Sequence, residues 1–560
     1  MVRMGCGFCL CLLIYHYWNT SCNEGVERMN PTALKFLPIP TPTTEMVVAG
    51  SLAVALLLIV SVLLGLAGRR KMTKGSFDEY LVGKRDLGPI ITGAALSATY
   101  ISGWAFCGST GIVYAVGFSG MWFAGIWSLI GIIPCIWLGA LKTRDFSKKL
   151  GAATLPETIG RRFESKALQT VVAVSMLCFL FLYSVGQLKA GATVWFAMTG
   201  LSPLWCLLLS VFIAWLYMVL GGYVGNQYAM ALQGAVFCVV GTLIGVWALI
   251  SVGGFYNITA GLAAQNPGLM GLINPKLPKL GATQLFSSWI GIFATPVIFF
   301  TMAVGFPHNV SRFLGMKKVT KSDYWWMVFV VWLFTGIPIM LDCSSNGLVA
   351  RLLYGPTLLQ AATIHGQPNV FKADLAAPLL SHALGGPWLM AAYTCGLFSA
   401  ALSTLAGMVF IMSANVTKDI IKLWQPKVSD KSMLYLGYFL IALFLFLPFY
   451  FVLVNPPPLL SIFMGMAAMG LGAVFFFVTA ISYYWKGATK WGAMACTVWG
   501  TVATLYGSWA VLYRKPALYG MGSYEWFLVL SCGAIYFLVS FMTKPPSKEL
   551  IDKLWSKALD

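Results

Sequence analysis

Three properties of this 560-residue chain specify an all-α polytopic membrane protein with about 13 transmembrane helices. Hydrophobic residues make up 59% of it and charged residues only 10%, well outside the composition of soluble globular domains. Apolar stretches of about 20 residues, enough to cross ~30 Å of hydrocarbon as a helix, recur along most of its length. The basic residues are also placed asymmetrically in the intervening loops. A net charge of +19 therefore reads as membrane topology, and a nucleic-acid surface is excluded.

The candidate spans, one to thirteen, are 46–67, 88–112, 119–140, 168–190, 201–223, 228–253, 285–306, 324–348, 386–413, 433–454, 458–484, 491–513 and 523–542. Before the first lies an N-terminal segment, 1–45. Its run Cys6 to Ile14 is too short to span and resembles a signal-peptide core, although no small-residue cleavage site follows and Met29 or Met46 are alternative starts. Alternate loops hold Arg69, Arg70, Lys71, Lys74, Lys84 and Arg85, then the cluster from Lys142 to Lys166, then Arg312, Lys317, Lys318 and Lys321. With Lys418 to Lys431, Lys486, Lys490 and the tail lysines these are 27 of the 37 Lys and Arg. Placing those loops inside sets the N-terminus outside and the C-terminus inside. The transmembrane domain is 46–542, and 543–560 is a short amphipathic cytoplasmic tail. No soluble module is attached, so the function lies within the membrane. The 13 Cys are scattered without metal-ligand spacing and read as small buried hydrophobes.

Spans two and seven carry helix breakers: Gly93, Ser97, Ser102 and Gly103 in one, Gly291, Pro296, Gly305 and then Pro307 in the other. Broken helices are tolerated at membrane depth where their freed carbonyls line a cavity, and in transporters they build the binding sites. A kink that serves packing alone is the plainer reading of either helix. The two stand five spans apart, however. They divide the core into halves of about 88–253 and 285–484, the arrangement of an inverted repeat with its site at the midplane.

Span nine is apolar except at its centre, Gly396 to Gly407, where Ser399, Ser403 and Thr404 stand among Ala and Gly. Hydroxyls at that depth either line a pathway or hold helices together.

An ordered set of motifs then becomes recognisable. Leu87-Gly88-Pro89 leads to Ala95-Leu96-Ser97-Ala98 and Ser102-Gly103-Trp104. Thr154-Leu155-Pro156-Glu157 follows with Arg162-Phe163, then Gly221-Gly222-Tyr223 with Gln233, then Gly305-Phe306-Pro307-His308 with Arg312-Phe313, and finally Ala400 to Thr404 with Lys418-Asp419. Together these resemble the sodium:solute symporter family over roughly 46–484. The resemblance implies a LeuT-like core of five plus five helices and sodium-driven uptake of a small organic solute by alternating access, with the lipid bilayer as its surroundings and no obligate protein partner. It places the sodium ligands at the carbonyls of Ala98 and Ile101, at Ala400, and at the hydroxyls of Ser403 and Thr404. Residues 400, 403 and 404 share one helix face, and a hard cation takes oxygen ligands, which agrees with that placement.

The chain also departs from the pattern. Two family aspartates are replaced by Tyr100 and Met230, so sodium would be held by neutral oxygens. Lys189, toward the outer end of span four, is expected to face water or a partner. With no acidic residue apparent in its half of the chain, an anionic substrate is the expected partner, and snorkelling to the interface is the alternative. Gln187-Leu188 and Gly305-Phe306-Pro307-His308 look closer to the pantothenate and acetate branches, whose substrates are monocarboxylates. The expected solute site is Ser102, Trp104, Gln187, Lys189, Phe299 and Ala303, a partly apolar pocket. His308, beside Arg312, is expected to be structural or gating rather than a proton relay. Proton-coupled or sodium-independent transport, a channel and a non-transporting solute sensor remain alternatives. No His, Cys and carboxylate constellation supports an enzyme.

Overall fold

The computed structural model describes residues 36–69, 81–82, 85–122, 130–276, 285–456, 460–512 and 521–556. The signal-like run and most of the N-terminal segment, together with Arg70, Lys71, Lys74, Lys84 and Lys557, lie outside them. Among the described residues eight helices are long and apolar enough to cross a membrane, ten when each of two bent pairs counts as one span. Spans three, five and twelve correspond to shorter or partly described helices: Ile132–Pro134 and its continuation, the start of Pro203–Ser251, and Lys490–Leu512.

The two bent pairs are spans two and seven. Pro89–Tyr100 meets Trp104–Gly120 at 44°, and Trp289–Gly305 meets Pro307–Gly315 at 45°. Each break has a local cause. Gly103 stands in the first, where a Cβ would lie 2.4 Å from that of Ala190. In the second, Phe306 is extended and Pro307, lacking an N–H, starts the next turn. The Leu87 amide donates to the Gly315 carbonyl (3.2 Å) and the Lys317 amide to that of Leu87 (3.0 Å). The start of span two is thus tied to the end of span seven, and the two run in opposite directions as an inverted repeat requires.

Spans five and six fall in a single helical run, Pro203–Ser251. Straight, its 49 residues would extend about 74 Å, far more than the hydrocarbon thickness. Ile213 and Gln233 nevertheless line one small cavity with Val54 and Ser61 of span one, and Gln233 Nε2 donates to Ser61 Oγ (3.3 Å). The chain therefore doubles back between them, as two spans. Span nine belongs to Ala376–Ala414, which is interrupted at Gly385 and Gly386. Gly386 has φ 67°, the left-handed region that favours glycine, and Pro387 starts the membrane-crossing part at the expected boundary.

Loops assigned to one side by their charge meet at one end of the bundle. Arg85 donates to Ser147 Oγ (2.6 Å) and the Leu314 carbonyl (3.1 Å), and Arg144 to the Met316 carbonyl (3.1 Å). The tail helix Lys548–Trp555 docks there too, where Lys149 Nζ donates to the Leu554 carbonyl (2.9 Å) and the Trp555 ring meets Phe146 at 5.2 Å. At the opposite end Leu37 donates to the Leu353 carbonyl (2.9 Å) and Phe196 packs on Phe371.

Candidate cation and solute site

The break in span two releases backbone oxygen. In a continuous helix the amides of Gly103, Trp104 and Ala105 would bond the carbonyls of Thr99, Tyr100 and Ile101. Here Gly103 donates to Gln187 Oε1 (2.9 Å), Trp104 to Ser102 Oγ (3.1 Å) and Ala105 to the Ser102 carbonyl (3.0 Å). Span nine presents its hydroxyls to this stretch. Ser403 Oγ lies 2.6 Å from the Ala98 carbonyl and 3.1 Å from that of Ala400, its one hydrogen directed at the nearer. Thr404 Oγ1 lies 3.1 Å from the Thr99 carbonyl and 3.0 Å from that of Ala400. All of these residues are buried.

Four of the five expected cation ligands, Ala98, Ala400, Ser403 and Thr404, are thus brought together. Ile101 stands at the break, its amide bonded to the Ser97 carbonyl (2.8 Å), and the Thr404 hydroxyl meets the Thr99 carbonyl instead. Thr99 was not expected; its place next to Ala98 in a helix about to unwind is the signal for it. A hydroxyl has one hydrogen and two lone pairs. Ser403 and Thr404 direct the hydrogen at carbonyls and keep their lone pairs, so helix cohesion through these atoms is compatible with the ligand role expected of them.

The solute residues surround the same break. Ser102 Oγ and the Tyr183 hydroxyl are 3.2 Å apart. The Trp104 ring lies 6.0 Å from those of both Tyr183 and Phe299, and Tyr183 also meets Phe306 at 5.5 Å and His308 at 5.8 Å. Both breaks therefore converge on Tyr183. Gln187 Nε2 is buried with no partner among the described residues. Ser102, Trp104, Gln187 and Phe299 form one cluster, and Ala303 follows Phe299 one turn later on its face, also buried. Tyr183 escaped notice although it stands four residues before Gln187 on that helix face.

Lys189 requires a correction. Its Nζ is 2.8 Å from Asp374 Oδ2, with side-chain exposures of 0% and 1%. Asp374 belongs to the turn Lys372–Leu375 that precedes Ala376–Ala414, and it supplies the counter-charge that an anionic substrate was expected to provide. An ion pair so deeply buried holds because each charge answers the other; neither snorkelling nor a substrate carboxylate is needed. Tyr100 and Met230 are buried as well, and no carboxylate replaces them at their positions.

A second buried carboxylate ties two of the motifs together. Asp419 accepts from Thr154 Oγ1 (2.7 Å) and Gln169 Nε2 (2.8 Å). Glu157, the third residue of the helix Leu155–Arg162, accepts from the Ala153 amide (2.7 Å) and pairs with Arg161 (2.6 Å). This network joins the loop after span three to the end of span nine. Between that loop and span seven lies a narrow cleft lined by Pro156, Met230, Arg312 and Gly407 among others.

Comparison with known proteins agrees with this geometry. The model of the sodium:solute symporter family matches residues 80–500. The chain is 25% identical over 488 residues to sodium/proline symporter 2 of Staphylococcus saprophyticus, covering 85% of this chain and 90% of that protein. It is 26% identical over 459 residues to a sodium/proline symporter of Staphylococcus aureus, covering 81% and 84% respectively. Among solved structures it resembles a sodium-coupled sialic acid symporter in a substrate-bound outward-open state, with TM-score 0.65 and 16% identity over 89% of this chain and 99% of that one. That likeness is one of fold, LeuT-like and all-α. The chain therefore belongs to the sodium:solute symporter family, multi-pass plasma-membrane transporters of small solutes and not enzymes.

Proposed function

We propose that this chain is a sodium-coupled symporter importing a small, partly apolar monocarboxylate by alternating access. The observation that carries the reading is the junction of spans two and nine. There the Ser403 and Thr404 hydroxyls meet carbonyls at a helix break, directly beside the Ser102, Tyr183, Gln187, Trp104 and Phe299 cluster. One helix break thus addresses both the ion and the solute, which is how occupancy of one site can favour the other.

The solute class follows from what the cluster offers. The Trp104 and Phe299 rings suit a compact apolar body. Gln187 Nε2, a buried donor with no partner among the described residues, suits a carboxylate oxygen. Proline, named in the relatives, has this chemistry. Because Lys189 is answered by Asp374, the solute's charge would be met by neutral donors and by the sodium ion.

The test is uptake into proteoliposomes of labelled proline, other amino acids, acetate, pantothenate and sugars, with and without an inward sodium gradient. One monocarboxylate should accumulate only with the gradient. Uptake driven equally by an acid exterior without sodium would replace sodium by a proton. Binding without uptake of any solute would make the chain a sensor.

A further inference from the structure

The helices around the candidate site also enclose a carboxylate with no counter-charge among the described residues. Asp342, in span eight, and Asn346, one turn later, are both fully buried. The Asn346 amide nitrogen donates to Asp342 Oδ1. Asp342 Oδ2 and Asn346 Oδ1 have no hydrogen-bond partner among the described residues. Tyr393 of span nine stands within hydrogen-bonding reach of the Asp342 carboxyl, while its hydroxyl hydrogen is directed at the Phe106 carbonyl in the second half of broken span two (3.2 Å). Span six closes the fourth side through Gly245, where a Cβ would lie 2.8 Å from the Asp342 amide nitrogen.

The elements packed against this carboxylate are helices of residues 104–116, 203–251 and 376–414 and the remainder of span eight. The first three contain no Lys or Arg; His382 is their one basic residue, on the far side of the Gly385 and Gly386 break from Tyr393. The titratable groups facing Asp342 are Tyr393 and Cys343, neither of them cationic. Arg351 stands nine residues along the same helix, about 13 Å away by helical rise, with its guanidinium over the Tyr114 ring. The remaining buried pair nearby, Lys189 with Asp374, is already neutral.

A bare carboxylate in a low-dielectric interior is costly, and intramembrane carboxylates of this kind hold a cation or a proton. We propose that Asp342, with Asn346 Oδ1 and the Tyr393 hydroxyl, forms a second monovalent-cation site, distinct from the Ser403 and Thr404 oxygens, which takes either sodium or a proton. The two sites share their helices. Tyr393 and Ser403 lie ten residues apart on span nine, about 15 Å by helical rise, and each bonds a carbonyl of span two, one on either side of the break. Movement of the second half of span two would expose Asp342 and the first site to water together. The site also restores a carboxylate to a chain that lacks both at the family's positions, Tyr100 and Met230.

Binding to the purified full-length protein tests this without any solute. Radioactive sodium binding by scintillation proximity counts the ions, and infrared difference spectra report a protonated buried carboxyl. If the site takes sodium, the wild type binds two ions per chain, Ser403→Ala loses one and Asp342→Asn the other, with Asp342→Glu retaining it. If it takes a proton, the wild type binds one sodium ion, which Ser403→Ala abolishes, and shows a carboxyl band that disappears in Asp342→Asn. An Asp342→Asn protein identical to wild type in both sodium count and carboxyl spectrum overturns the proposal. Should that variant fail to fold, a wild type with one sodium ion and no buried protonated carboxyl overturns it equally. Because Ser403→Ala reads the first site separately, failure of the sodium-symport reading shows as no sodium binding lost in that variant.

Discussion

Ser403 and Thr404 each direct one hydroxyl at a carbonyl of span two and at that of Ala400. Ser403→Ala or Thr404→Ala removes a helix contact and, on the proposed function, an ion ligand with it. Either should raise the half-saturating sodium concentration for uptake at least about tenfold, ~1.4 kcal/mol. The same uptake measurements at saturating sodium should show a solute KM much closer to wild type; equal losses in both would mark a purely structural role. Lys189 and Asp374 call for a different experiment, because removing one partner strands the other. Lys189→Met should cost about 3–5 kcal/mol of stability, whereas Lys189→Met with Asp374→Leu should recover most of it. Thermal unfolding of wild type, Lys189→Met, Asp374→Leu and the double variant in detergent gives the coupling directly, and additive losses would contradict a functioning ion pair.

At the level of whole helices, the breaks in spans two and seven decide where chemistry is placed. Gly103 is the tightest point of the first: a Cβ would meet Ala190 at 2.4 Å and Gln187 Oε1 at 3.2 Å. Gly103→Ala should force span two away from span four and abolish uptake, while the protein still elutes as a folded species in size-exclusion chromatography. Both breaks were legible in the sequence because Gly and Pro act locally, within a turn of where they stand. So was the face shared by Ala400, Ser403 and Thr404, a matter of helical spacing alone. The Lys189 and Asp374 pair was not legible. Its members are 185 residues apart, and the carboxylate sits in a turn outside any apolar stretch, where acidic residues ordinarily meet water. Asp419 stood in a recognised motif, but its partners Thr154 and Gln169 lie 265 and 250 residues earlier and were not legible for the same reason. Tyr183 was hidden by its own helix, where an aromatic among apolar residues looks like packing until two distant breaks meet around it.

Across the molecule, charge placement and packing agree. The loops rich in Lys and Arg gather at one end, and the tail helix closes over them through Trp555, which meets Phe146 at 5.2 Å and carries the Arg162 guanidinium 4.9 Å from its ring. Trp555→Ala should lower the melting temperature of the detergent-solubilised protein, a loss of about 1–3 kcal/mol, and leave the solute KM unchanged in uptake assays. The neutral pairing of Lys189 with Asp374 has an electrical consequence. A lone lysine at that depth would feel the transmembrane voltage, at about 2.3 kcal/mol per charge for every 100 mV, and the carrier would be biased by it whether loaded or empty. Closed on Asp374, it contributes no net charge to the field. Voltage then acts only on the net charge that bound ion and solute carry between them, and the lysine does not hold back the return of the empty carrier.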